Sequence, residues 1–161
     1  MSTHLVIPDP HVKMGVPNDR FIWAGKFARE LKPDVIICLG DWVNMDSLSH
    51  FDRGKKAFEG RRYNKEILHA EEALENFSNN LRTGKVRKVM LGGNHEHRIT
   101  KFVNDNPELE GKMCVEDIPF EYYKWEYHGY EIPVEIDGIL YCHHFASGVL
   151  GRPISGDYIA S

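Results

Sequence analysis

Cysteine is scarce in this chain: Cys38, Cys114 and Cys142 are the three in 161 residues. An odd count, with two of them inside apolar runs, argues against a disulfide framework and reads as reduced thiols in a cytosolic protein. Long hydrophobic runs are missing too. The N-terminal MSTHLVIPDPH holds one short apolar run, too little for a signal peptide or a membrane span, so no membrane partner is expected. Neither sign of charge dominates. At a net charge of -4 the total predicts no large nonspecific nucleic-acid footprint, although a local basic patch is compatible with it. No internal repeat, low-complexity tract or linker interrupts the chain. Its length, with 42% hydrophobic and 27% charged residues, suits one domain over 1–161 with a sizeable core. What is plentiful is histidine, nine residues in all. Imidazole is the commonest metal ligand, so the positions of these residues matter.

Three runs read as strands: Leu5-Val6-Ile7, Val35-Ile36-Ile37-Cys38-Leu39 and Val89-Met90-Leu91. They are continuous and β-branched rather than alternating, which suggests strands buried on both faces of a parallel sheet. Helical spacing lies between them. Phe21, Ala24, Ala28 and Leu31 form one stripe, with Asn18 or Asp19 as the expected cap. Ile67, Ala70, Leu74, Phe77 and Leu81 form another. Strand-helix-strand-helix-strand is the layout of an α/β fold with right-handed crossovers. A third helix is expected from near His95 to just before Asp105-Asn106-Pro107. Beyond it Tyr123, Trp125 and Tyr127 alternate with polar residues, as in a half-buried strand. Residues 130–135 and 139–142 read as two strands around the turn Asp137-Gly138.

Each apolar run ends in polar groups able to bind metal. The first gives Asp9 and His11, the second Asp41 and Asn44, the third Asn94 and His95, the last His143 and His144. In open α/β sheets ligands bind beyond the carboxyl ends of the strands, so these groups should converge. Gly92-Gly93 would let the backbone approach that point closely. Carboxylates, imidazoles and an amide, with no thiolate, suit manganese, zinc, iron or nickel. A single carboxylate can bridge two ions.

In order along the chain stand "DPH" at Asp9 to His11, "GDWVN" at Gly40 to Asn44, "GNHE" at Gly93 to Glu96 and "LYCHH" ending at His144. Together they resemble the calcineurin-like metallophosphoesterases, in the style of small phage and bacterial members, over essentially the whole chain. The resemblance implies a sandwich of mixed β-sheets flanked by helices. It also implies a dinuclear phosphodiesterase or nuclease-like hydrolase that uses a metal-bridging hydroxide. Asp9 and His11 would bind one divalent ion, Asn94 and His143 the other, and Asp41 both, with manganese the first choice of metal. His95 would be general acid and would contact phosphate together with Asn94. His143 rather than His144 fits the ligand position, because it ends the strand. Two ions against Asp9, Asp41 and one hydroxide leave a charge of about +1, which attracts a phosphodiester. The substrate would be a phosphoester, with nucleic acid and nucleotide among the candidates.

The family's further "GHxH" motif has no match, which predicts a domain incomplete at its C-terminus. It also predicts weaker metal binding and an open sheet edge that a second chain could cover. Two rival readings stand beside the hydrolase: a metal-poor binding module that keeps the fold, and a structural zinc protein with closed coordination. Several residues stay open. Glu96 is either a first-turn carboxylate or a group that orients a ligand. Arg98 either clamps phosphate or pairs with a carboxylate. The basic residues Arg53, Lys55, Lys56, Arg61 and Arg62 line the substrate path or a solvated loop. The aromatics of 120–130 pack in the core or stack on bases. Residues 147–156 are a gate or an ordinary loop. His4, His50, His69 and His128 are set aside as structural or solvated.

Overall fold

A computed structural model of the chain describes residues 2–82, 85–147 and 152–153. The apolar runs form strands β1 (His4–Ile7), β2 (Val35–Cys38) and β3 (Arg87–Leu91). With β4 (Glu126–His128) they make one sheet of order β1-β2-β3-β4, parallel throughout. Successive side chains leave a strand on opposite faces. Ile36, Cys38 and Met90 enter a core with Trp42, Leu74 and Phe77. Val35, Ile37, Val89 and Leu91 enter a second core with Val134 and Ile136. Burial on both faces is why β2 and β3 carry no polar alternation; β1, at the sheet edge, differs from the expectation and leaves Val6 exposed.

Helices α1 (Asp19–Leu31), α2 (Tyr63–Leu81) and α3 (His97–Asp105) fill the connections. α2 buries Ala70, Leu74, Phe77 and Leu81 as their spacing predicts. α1 differs in part: it buries Phe21, Gly25 and Ala28, while Leu31 is exposed. Gly25 is the contact point, since a Cβ there would lie 2.4 Å from the Phe77 carbonyl oxygen. The expected cap is also different. Asn18 sits at the cap position but makes no side-chain cap bond. Its Nδ2 donates instead to the His69 carbonyl (3.1 Å) and Glu72 Oε2 (2.9 Å), tying the start of α1 to α2.

Past α3 the alternating aromatics yield a shorter strand than their pattern predicts. Lys124 has φ 63°, and the Trp125 N–H closes a turn onto the Phe120 carbonyl (2.9 Å), so only Glu126–His128 pairs with β3. Phe120 and Trp125 are buried in the core. Strands β5 (Val134–Ile136) and β6 (Ile139–Tyr141) pair antiparallel. Asp137 and Gly138 turn between them at φ 51° and 80°, as a two-residue hairpin requires. The first hairpin strand begins at Val134 rather than Tyr130, because Glu131 has φ 62° and Pro133 lacks an N–H. Strands β7 (Ala146–Ser147) and β8 (Arg152–Pro153) form a separate antiparallel pair; most of the segment 147–156 lies outside the described residues. Among those described, no helix is long and apolar enough to cross a membrane.

Candidate metal centre

Strand pairing continues past the sheet. His11 N–H donates to the Asp41 carbonyl (2.9 Å), Val12 to Trp42 (2.7 Å) and Asn44 to Val12 (2.8 Å). The loops after β1 and β2 therefore run side by side. Trp42 pins the second loop: its ring is fully buried, and its Nε1 donates to the Ala70 carbonyl of α2 (3.3 Å). Glu96, also fully buried, ties that loop to the one after β3. Its Oε2 accepts from Asp41 N (3.0 Å) and Gly93 N (2.9 Å), and its Oε1 from Val43 N (3.0 Å). Burial pushes the Glu96 pKa up to about 7, against the backbone N–H groups that hold the anion. Of the two readings of Glu96, the structure favours the group that positions its neighbours.

The backbone is strained where the side chains converge. Asp9, His11 and Asp41 have φ of 30°, 46° and 50°. Each such non-glycine residue costs about 1–3 kcal/mol and persists only where its surroundings hold it. Gly40, at φ 103°, is needed for space as well, because a Cβ there would lie 2.7 Å from Gly93 N and 2.9 Å from His143 Nδ1.

Asp41 is 4% exposed and stands at the hub. Its Oδ2 lies 3.7 Å from each of His11 Nε2, His95 Nε2 and His143 Nε2. Asp9 Oδ1 is 3.7 Å from His143 Nδ1, and Asn94 Oδ1 is 3.0 Å from His143 Nε2. Among the described residues two groupings able to hold a cation emerge, His11-Asp41-His95 and Asp9-Asp41-His143. This grouping puts His11 with His95 and Asp9 with His143, where the resemblance pairs Asp9 with His11 and Asn94 with His143. His144 points elsewhere, its Nε2 3.1 Å from Glu131 Oε1.

A family model for the calcineurin-like phosphoesterases matches residues 3–156. The chain belongs to that family. Comparison with curated proteins gives no match. Metal-dependent phosphoester hydrolysis is the chemistry of calcineurin-like phosphoesterases, and the donors here fit it. Each of the three histidines has Nδ1 facing an oxygen: His11 to Asn44 Oδ1 (3.1 Å), His95 to the Asn44 carbonyl (2.7 Å), His143 to the Leu39 carbonyl (2.8 Å). A proton on each Nδ1 leaves the Nε2 lone pair turned toward Asp41 Oδ2. Lone pairs and a carboxylate oxygen facing one another repel unless a cation lies between them. Donors at about 2.0–2.2 Å from one ion are at most about 4.4 Å apart, a span the 3.7 Å distances satisfy.

Asn44 carries more weight than its sequence position suggests. It orients two histidines, and its own Nδ2 donates to Asp46 Oδ1 (2.6 Å). The only hint in the sequence is its place three residues after Asp41, in the same loop. Arg98 donates to the carbonyls of Asn44 (2.8 Å) and Met45 (3.4 Å), and its Nη2 lies 3.2 Å from His95 Nε2. Burial lowers the His95 pKa; Asp41 opposes that shift and Arg98 adds to it. In the basic segment Arg61 is internal, paired with Asp52 (2.7 Å) and Asp46 (3.6 Å). The histidines set aside have partners of their own: His4 with Tyr141 and Asp137, His50 with Asp105, His69 with Glu72 and His128 with Glu126.

Proposed function

We propose that this chain is a phosphodiesterase working with two divalent cations, manganese the first choice, held by Asp9, His11, Asp41, Asn94 and His143. The observation that carries the reading is one buried carboxylate oxygen, Asp41 Oδ2, equidistant at 3.7 Å from three imidazole nitrogens. Bound there, a pair of divalent ions would supply Lewis acidity toward the phosphoryl oxygens and a water acidic enough to attack at neutral pH. The chain's own residues do the rest. Asn44 and Leu39 fix the rings through Nδ1, so Nε2 needs no reorientation. Glu96 holds the Asp41 and Gly93 backbones at their spacing. His95 faces the same centre through Nε2 and, as an imidazolium protonated on both ring nitrogens, passes the Nε2 proton to the leaving oxygen, while Asn94 and Arg98 border the place where phosphate would lie. The test is hydrolysis of bis-(4-nitrophenyl) phosphate against 4-nitrophenyl phosphate with added manganese. Faster cleavage of the diester supports the reading. Metal uptake without turnover of either ester makes the chain a binding module, and no metal uptake removes the reading altogether.

A further inference from the structure

A cavity of about 410 Å³ adjoins the metal centre and shares Asn94 with it. That volume is in the range of small-ligand sites; Asn94 and Arg98, which border the phosphate position, are among its walls, and the phosphoester chemistry makes no use of the others. Among its aromatic walls, the rings of His97 and Tyr130 stack with centroids 4.7 Å apart and planes at 19°. Phe51 also lines the cavity, and at 81% exposure its ring lies almost wholly in water. The fold gains little from an aromatic ring placed there. Lys101, one turn after His97 on α3, brings an exposed ammonium group to the same lining. Glu131 is there too, but His144 Nε2 lies 3.1 Å from its carboxylate. The two cations of the lining, Arg98 and Lys101, both lie on α3, and an anion in the cavity is drawn to that side.

Aromatic faces beside a cation, opening onto a centre for phosphate, match the chemistry of a nucleoside phosphate: rings stack on a base and the cation takes a neighbouring phosphate. A base in a duplex keeps its faces in its own stack, so the occupant is an unstacked base. We infer that this cavity binds the base of a nucleoside-bearing phosphodiester, either a single strand or a free nucleotide, beside the phosphate held at the metal centre. The inference rests on the phosphodiesterase reading for its placement, and the test separates the two.

The experiment is fluorescence anisotropy in EDTA, with a labelled oligothymidine strand, an abasic strand of equal length and a duplex. The base-bearing single strand should bind roughly 5- to 100-fold more tightly than the abasic one, the worth of a stacked base. Phe51→Ala should remove most of that preference, and its exposure makes the change harmless to the fold. Lys101→Ala should weaken both strands alike and reduce the salt dependence. Competition by thymidine monophosphate as strong as by the strand assigns the cavity to a free nucleotide; weaker competition assigns it to a single strand. Equal binding of base-bearing and abasic strands, a preference that Phe51→Ala leaves intact, tighter binding of the duplex, or no binding at all overturns the inference. A base preference in a chain that cleaves no diester would retain the cavity and sink the hydrolase reading. Cleavage without base preference would do the reverse.

Discussion

Gly93→Ala adds one methyl group at the centre of the site. The φ of Gly93 lies outside the left-handed region, so the backbone admits alanine and the change tests space alone. An ideal Cβ would lie 2.1 Å from Asp41 Oδ1 and 2.3 Å from Asp41 N. Asp41 or Gly93 must therefore move by roughly 1 Å. Neither is free to do so, because both N–H groups donate to Glu96 Oε2, and Asp41 Oδ1 accepts from His95 N at 2.9 Å. Overpacking of this kind costs about 1–3 kcal/mol, a fall in Tm of roughly 2–12 °C for a domain of this size. Displacing the shared ligand should weaken metal binding about 10- to 100-fold. Thermal unfolding and calorimetric titration with manganese measure the two effects. Gly129→Ala is the control: its Cβ would meet only Ile132 Cγ1, at 3.7 Å, so both readings should stay near the parent. A Gly93→Ala chain that binds manganese as tightly as the parent would refute the packing argument and the position assigned to Asp41.

Four further substitutions test separate parts of the site. His95→Ala should keep most bound metal but slow diester cleavage roughly 10²–10⁴-fold, with a smaller loss for the good leaving group 4-nitrophenol; equal losses for good and poor leaving groups would remove His95 as proton donor. Glu96→Gln places an NH₂ group against one of three backbone N–H donors and should cost about 1–3 kcal/mol, visible in urea unfolding; an unchanged midpoint would mean that Glu96 is no clamp. His143→Ala should lower manganese content while His144→Ala should not, and elemental analysis giving the opposite result would exchange their roles.

The convergence of the site was legible because the chemistry recurs at strand ends. Asp9, His11, Asp41, Asn94 and His95 follow strands of the parallel sheet, which sends such ends to one edge, while His143 arrives from the antiparallel hairpin, after β6. The helices were legible where burial follows the 3.6-residue period, as in α2. The period misleads at α1, where Gly25 rather than a larger apolar residue meets Phe77. It misleads again at Trp125, where turn geometry decides the length of the strand. Positioning groups were the hardest to read. Apart from the nearby Gly93 N–H, Glu96 and Asn44 act through backbone N–H groups and imidazole Nδ1 atoms that lie far away in sequence, and no spacing rule encodes those partners. Arg98 was read as a phosphate clamp or the partner of a carboxylate, yet the carbonyls it meets belong to a loop more than 50 residues upstream.

The central claim is that Asp41 joins two cation sites formed by four strand ends. Electron paramagnetic resonance of the manganese-loaded chain tests it most directly, because two ions sharing one carboxylate couple magnetically and isolated ions do not. The account predicts two manganese ions per chain, a coupled spectrum, and loss of that coupling in Asp41→Asn together with more metal than any other single change removes. One ion per chain with an isolated-ion spectrum, or a coupled pair that survives in Asp41→Asn, would contradict it.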